Sequence, residues 1–561
     1  MHLDRLKSSA FWSYLFTEGW RPYFWIALLG AAVYFRSVFF GFAYFDDDHL
    51  ILENFHRLAD LKNILLAFRT DMNWQSPGTY YRPLVTLTFI GDALWSGRNP
   101  WGYHLSNVIF HLTASCLLFS LFRTLKYSHK ISLVFALVFA VHPVLNHAVA
   151  FIPGRYDSLL AVFSLAAFIA FIRYLERPSL WLLLGYLLSF TAALFTKETA
   201  VILPAAGMFF FLLFHRREFR KLLAPALIWL ACISFFLVLR GQAVGPVSVT
   251  YNTFAENLAG LLSYLGKILL PFNLSVMPIP ENTSLWPGVI ALTGLLALFL
   301  LGGSNRKLYF LFGLGWFLLF LAPTAARTLG FAYLLEQRLY LPMAGFFIMM
   351  LESRVVLDIA KRQFAPLLSA TFLILFSAVS IGHINIYRDD ISFWGNAVKR
   401  SPDSYFAHNV LGQRYAARDR WPEAEAELAR AADLKPGNAA ILHDLGLILY
   451  QQKKYPQART AFQGAVYADS LGAEAGLYLR LAKSLIKQGL TLPARKPLKQ
   501  ALALDPDNVE ANELLSFLFV NLGERDSSLY YYHRAVRLGL PYNPEVIRLI
   551  TGKDPAKPEP Q

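Results

Sequence analysis

The stretch "YFWIALLGAAVYFRSVFFGFAYFDDD", residues 23–48, decides the fold. Residues 23–44 are mostly apolar and long enough to cross a bilayer, which takes ~20 such residues in a helix. Three aspartates, Asp46, Asp47 and Asp48, follow at once. The same alternation of long apolar runs and short polar links continues over 22–383. Hydrophobic residues make up 55% of the 561-residue chain and charged residues 16%, against roughly 25% charged in soluble domains. With a mean hydropathy of +0.40, the composition is that of an integral membrane protein. Residues 400–561 are instead polar and rich in Ala and Leu, so two domains are expected.

Eleven segments qualify or nearly qualify as spans: 23–44, 105–123, 131–149, 158–174, 179–196, 199–214, 222–240, 287–302, 308–325, 338–352 and 365–384. The shorter apolar piece 257–272 reads as re-entrant or interfacial. The fold class expected is all-α: a polytopic helical domain of about 11 spans over 23–390, with an outer loop at 45–104, followed by a helical solenoid. No small-residue cleavage site follows a short apolar core near the N-terminus, so the first span serves as its own targeting signal.

Net charge is +14, but no basic stripe interleaved with aromatics suggests a nucleic-acid groove. The cations gather instead in alternate short links: Arg123, Lys126 and Lys130; Arg173 and Arg177; Arg216, Arg217, Arg220 and Lys221; Arg306 and Lys307; Arg354, Lys361 and Arg362. By the positive-inside rule that face is cytoplasmic, and residues 1–22, with Arg5, Lys7 and Arg21, fall on it. An odd number of spans then places the aspartates and everything after the last span in one outer compartment. Cys116 and Cys232 lie inside apolar runs as small buried hydrophobes, with no disulfide framework or metal site.

Residues 405–545 repeat with the period of the tetratricopeptide repeat, in which small residues at fixed positions let paired helices pack closely. The first unit carries Leu411, Gly412, Tyr415, Ala424, Leu428, Ala431 and Pro436. The second carries Leu445, Gly446, Ala458, Phe462 and Ala465; the third Leu481, Ala482, Ala494, Leu498, Ala501 and Pro506; and a weaker fourth Leu515, Tyr532 and Ala535. Residues 391–404 are expected as a linker and 546–561 as a tail. Stacked helix pairs make a concave surface suited to extended peptide.

Ionisable residues at membrane depth or its edge are costly, which marks them as functional candidates. Close carboxylates oppose full ionisation and raise the pKa of at least one member, which suits Asp46–Asp48 to general-base work or, with His49, to a divalent metal. Other outer-face polar groups are Tyr81 and Arg82; His104, Asn107 and His111; His142, His147, Arg155 and Asp157; Lys197 and Glu198; and Glu336, Arg338 and Tyr340. His111 and His142 read as packing residues. No phosphate-cradling glycine loop, HExxH or GxSxG competes with these groups.

The order "FDDDHLILEN", "YYRPL", "GYHLSNVIFH", "VFAVHPVLNHAVAFIPGRYD", "LFTKETA" and "EQRLYLP", followed by the repeats, resembles the transmembrane and tetratricopeptide repeat-containing O-mannosyltransferases. These are GT-C enzymes, and the short repeat array points to a prokaryotic relative. The resemblance implies transfer of a sugar, mannose or another hexose, from a polyprenyl-phosphate donor to Ser or Thr of a polypeptide held by the repeats. It places the family's acidic pair on Asp46 and Asp47, its Gly-Arg-x-Asp segment on Gly154, Arg155 and Asp157, its Lys-Glu pair on Lys197 and Glu198, and its Glu-Arg-x-x-Tyr-like segment on Glu336, Arg338 and Tyr340. His147 stands where relatives commonly carry a glutamate. Asp46 or Asp47 is then the expected base, with inversion at the sugar. Arg338, followed by Arg155 and Lys197, is expected on the donor phosphate, while Asp157, Glu198, Glu336, Tyr340 and Arg82 complete the donor site. The expected location is a bacterial inner membrane with the active site and repeats facing the periplasm, or the endoplasmic reticulum facing the lumen. A glycan or glycolipid acceptor, a non-enzymatic scaffold and a transporter are the rival readings.

Overall fold

The computed structural model describes residues 16–74, 78–246, 250–327, 334–469 and 474–553. Arg5, Lys7, residues 328–333 of the expected outer link and residues 554–561 of the expected tail lie outside them. Two compact units are present, divided at Ser401 and Pro402.

The first unit is built on α1 (Arg21–Tyr34), α2 (Pro83–Ser96), α3 (Pro100–Thr124), α4 (His129–Val141), α5 (Asn146–Ala150), α6 (Arg155–Glu176), α7 (Leu180–Thr196), α8 (Leu203–Phe214), α9 (Leu223–Ala243), α10 (Phe254–Leu269), α11 (Trp286–Gly302), α12 (Lys307–Leu321), α13 (Pro342–Glu352), α14 (Ala365–Ile384) and α15 (Asp390–Arg400). Several begin on a proline in the first turn: Pro22, Pro83, Pro100, Pro204, Pro287, Pro342 and Pro366. There the missing N–H has no helical partner to lose. Pro143 breaks a helix for the complementary reason, bending Pro143–Ala150 by 49° from α4.

Among the described residues, six helices are long and apolar enough to cross a membrane, or seven if the bent pair counts as one span. Four of the expected spans are shorter apolar helices, Leu180–Thr196, Glu198–Phe214, Trp286–Gly302 and Pro342–Glu352. Each of the eleven segments has its helix, although only some reach full bilayer length by themselves. A Cβ on Gly345 would stand 2.5 Å from the Gly313 carbonyl oxygen, so α12 and α13 cross backbone to backbone, as small residues allow in membrane helices. Phe139 of α4 packs on Phe347 of α13, and Phe168 of α6 packs on Phe312 and Trp316 of α12.

The expected linker from residue 391 is helical instead. Asp389 caps α15 by accepting from the Ser392 N–H at 2.8 Å, a common helix-start signal. Phe393, Trp394 and Ala397 bury one face. Phe393 and Trp394 pack on Phe45, so α15 supports the aspartate loop.

The second unit consists of antiparallel helix pairs: α16 (Tyr405–Ala416) with α17 (Trp421–Leu434), α18 (Ala439–Gln451) with α19 (Tyr455–Ala468), α20 (Ala475–Lys487) with α21 (Thr491–Leu504), and α22 (Val509–Asn521) with α23 (Arg525–Arg537), followed by α24 (Pro544–Thr551). The repeated small residues sit where the helices of each pair meet. A Cβ on Gly412 would lie 2.7 Å from Leu428, and one on Gly446 would lie 2.6 Å from the Phe462 ring. Ala424, Ala458 and Ala494 are fully buried. Gly446→Val should therefore destabilise the repeat unit by about 1–3 kcal/mol, the usual cost of overpacking a close contact. Denaturant unfolding followed by circular dichroism would register this as a lower midpoint.

Candidate active site

Behind the first span the chain turns sharply, with Tyr44 at φ +51°, and the turn is held by Asp47. Its Oδ2 accepts from the Ala43 N–H at 2.7 Å and its Oδ1 from the Phe45 N–H at 2.8 Å. The residue is 1% exposed. Burial pushes its pKa up to about 7, with the two N–H groups pulling the other way. Asp46, half-buried, faces Arg82 and His49 across space. Burial pushes it up to about 6, and those two cations pull it down. No hydrogen bond to the Asp46 carboxylate occurs among the described residues. The two acids thus differ in kind: Asp47 shapes the loop and Asp46 is presented by it.

Beyond Asp46 lies a group of cations separated by one aromatic ring. Arg82 Nε donates to Glu198 Oε2 at 3.2 Å, and Glu198 Oε1 accepts from the Tyr81 N–H at 3.2 Å. The Arg82 guanidinium lies 4.7 Å from the Tyr156 ring centroid and 4.6 Å from that of Tyr80. Lys197 Nζ also lies 4.7 Å from the Tyr156 centroid and pairs with Asp157 Oδ1 at 2.5 Å. Burial lowers the Lys197 pKa, with Asp157 opposing. Arg338, half-buried on the turn Glu336–Leu339, is within electrostatic reach of Lys197 and Tyr264. Asp157 Oδ2 and Gln337 Oε1 are buried without a protein partner among the described residues, an uncommon state that often marks a place for a ligand.

Glu336 adjoins this cluster. Its Oε1 accepts from the Ser275 N–H at 2.9 Å and pairs with Lys267 Nζ at 3.0 Å. Burial raises its pKa and Lys267 opposes the rise.

Two expected site residues point elsewhere. Arg155 is fully buried, with Nε on Asn107 Oδ1, Nη2 on the Tyr103 carbonyl, and Nη1 on Asp92 and Thr88 Oγ1. With all its nitrogens occupied, its guanidinium braces α2, α3 and α6. Tyr340 bonds His111 Nδ1 at 2.6 Å inside the apolar core. His111 and His142 each bond a backbone carbonyl, of Ala140 and Ile268, consistent with packing roles. The residues that sequence reasoning missed are Tyr156, Tyr264, Lys267 and Gln337. Tyr156 lies between Arg155 and Asp157 and could have been found there; Lys267 sits on the segment read as interfacial.

A metal set of Asp46, Asp48 and His49 does not converge. His49 is exposed and bonds Glu53 at 2.9 Å, and no group of three His, Cys, Asp or Glu suited to an ion occurs among the described residues.

Gly154 explains its own motif. A Cβ there would stand 2.3 Å from the His147 carbonyl, so only glycine lets α6 begin against α5 with Asp157 aimed at Lys197. Residues 86–240, which hold this motif and the Lys-Glu pair, match the family model of the dolichyl-phosphate-mannose-protein mannosyltransferases. Residues 394–473 match a tetratricopeptide-repeat model. Protein O-mannosyl-transferase TMTC3 of Mus musculus is 39% identical over 145 residues, 25% of this chain and 16% of that protein. Protein O-mannosyl-transferase TMTC2 of Homo sapiens is 27% identical over 267 residues, 46% of this chain and 31% of that protein. The chain therefore spans less than a third of the length of these relatives. Among solved structures, a crystal structure of MamA aligns with 27% of this chain and 86% of its own at 19% identity, with a TM-score of 0.26.

The contrast between Arg155 and the cations around Tyr156 is testable. Arg155→Ala leaves Asp92 buried and unpaired, a change that costs about 3–5 kcal/mol, so the purified protein should lose thermal stability in detergent. Arg82→Gln, which keeps a polar group beside Glu198, should cost less than half as much in the same thermal-unfolding assay.

Proposed function

We propose that this protein is a membrane glycosyltransferase that moves mannose, or another hexose, from a polyprenyl-phosphate donor to Ser or Thr of polypeptides outside the cytoplasm. The observation that carries the reading is one presented carboxylate, Asp46, within electrostatic reach of Arg82, with Lys197 and then Arg338 following in the same run of cations. The names of the relatives support a protein acceptor and mannose chemistry, and the repeats offer a surface for an extended chain. The membrane helices are consistent with a lipid-borne donor. On the topology expected from the basic links, Asp46 and the repeats share the periplasmic or lumenal side.

A serine hydroxyl is a weak nucleophile near neutral pH. Asp46 accepts its proton as the oxygen attacks the anomeric carbon, a contribution of typically 10²–10⁴-fold. The bond from that carbon to the phosphate oxygen breaks on the opposite face, through an oxocarbenium-like state, and the configuration inverts. Negative charge collects on the departing lipid phosphate, where fixed cations act most strongly in a water-poor site. Arg338 and Lys197 receive that charge, and Arg82 balances Asp46. Asp157 and Glu198 orient the cations, and the free oxygens of Asp157 and Gln337 accept from sugar hydroxyls. Asp47 keeps the loop in place, and Arg155 contributes through the scaffold.

Two outcomes test this. With a polyprenyl-phosphate hexose and a Ser/Thr-rich acceptor, wild-type membranes should add hexose, read by peptide mass spectrometry, and Asp46→Asn should lose at least about 10²-fold in rate at equal protein level. Hexose transfer undiminished in that variant would refute the base assignment, and hexose found only on lipid or glycan would favour the glycan-transfer reading. The pH profile gives a second outcome. A base must be ionised, so the rate should rise with pH through about 6, where Asp46 titrates. Because Arg82 holds the Asp46 pKa down, Arg82→Gln should move this acidic limb to higher pH.

A further inference from the structure

Helix α10 carries two chemistries on opposite sides. At 3.6 residues per turn, Phe254, Leu258 and Leu269 fall within about 60° of one another, and they are 84%, 44% and 37% exposed; Leu265 in the same sector is buried, so the open apolar side belongs to the first two turns and reappears only at Leu269. The other side presents Gly260, Ser263, Tyr264 and Lys267, all buried. The helix has a firm start, with Thr253 and Glu256 closing a reciprocal cap, and a tight seat, since a Cβ on Gly266 would stand 2.7 Å from the Gly288 nitrogen of α11. Its buried side meets the segment that carries Arg338. Tyr264 lies against Arg338 and the Leu335 carbonyl, and Lys267, 9% exposed, reaches Glu336.

We propose that α10 is the receiving element for a polyisoprenyl phosphate: its exposed apolar side lies along the isoprenoid chain, and Lys267 with Tyr264 meets the phosphate beside Arg338. The inference rests on the donor class of the proposed function and names the element that selects it. Charge complementarity argues for this occupant. A buried ammonium is costly unless paired, and a phosphate offers Lys267 a second anionic partner close to Glu336. A neutral lipid would bring Lys267 no second anion, and a water-soluble sugar phosphate would make no contact with Phe254 and Leu258. An isoprenoid chain with an anionic head uses both sides of one helix.

The test is binding, read separately from transfer. Purified full-length protein in nanodiscs is titrated with a fluorescent long-chain polyprenyl phosphate and with farnesyl phosphate, neither carrying a sugar. Lys267→Gln should weaken both by about tenfold or more, the value of a lost charge-assisted hydrogen bond, with Lys267→Arg restoring most of the affinity. The variant Phe254→Ser/Leu258→Ser, at the exposed start of α10, should weaken the long chain several-fold and leave farnesyl phosphate unchanged. Equal affinity in wild type and both variants, absence of binding to wild type, or equal loss of both lipids in the surface variant would overturn the proposal. Binding as expected from a wild type that transfers no hexose would keep the inference and defeat the transferase reading. Transfer with binding unaffected by the variants would do the reverse.

Discussion

Everything at the candidate site depends on keeping charged groups ionised where water is scarce. Isolated buried ions are too costly to survive there, and four cations are each tied to a carboxylate from another element. Arg155 with Asp92 joins α6 to α2, Lys197 with Asp157 joins the end of α7 to α6, Arg82 with Glu198 joins the start of α2 to the segment after α7, and Lys267 with Glu336 joins α10 to the turn before α13. The same contacts that pay for burial also fix the geometry. Side chains from segments far apart in sequence are thereby held to within a few ångströms of one another.

Within this lattice the groups fall into two sorts. Arg155 and Asp47 have their hydrogen-bonding capacity taken up by the protein, which suits them to shape. Asp46, Asp157 Oδ2 and Gln337 Oε1 keep capacity unspent. A ligand with several hydroxyls and an anionic leaving group satisfies such a set, which is why glycosyl transfer from a lipid phosphate accounts for more of these residues than a scaffold does. A scaffold needs the paired groups but gives no use to the unpaired oxygens.

Much of this was legible in the sequence. The eleven apolar segments each became a helix because hydropathy over such lengths leaves the backbone no other way to satisfy its own hydrogen bonds in lipid. The repeats were legible because steric contact at Gly412 and Gly446 recurs in register. The aspartate loop and the Lys-Glu pair stood out because charge beside hydrocarbon is rare. What could not be read was which cation faces which partner. Arg155 and Arg82 look alike in sequence, and only the presence of Asp92, Asn107 and Tyr103 around the first separates them. The resemblance puts Tyr340 at the donor site, yet His111 draws it into the core. Lys267 and α15 were missed because amphipathic helices of modest hydropathy announce a surface without saying what covers it.

The sequence distance between partners also sets a timetable. Asp92 meets Arg155, Asp157 meets Lys197, and Arg82 meets Glu198, all within the first 200 or so residues made. Lys267 must wait for Glu336, and chains emerge and fold N-terminal end first. During synthesis these three pairs can therefore form while α10 is still unmade. The Lys267–Glu336 pair therefore closes last. A truncation within 270–336 would accordingly keep the first three pairs but lack Arg338 and the α15 rings that pack on Phe45, leaving both Lys267 and the aspartate loop without their later support.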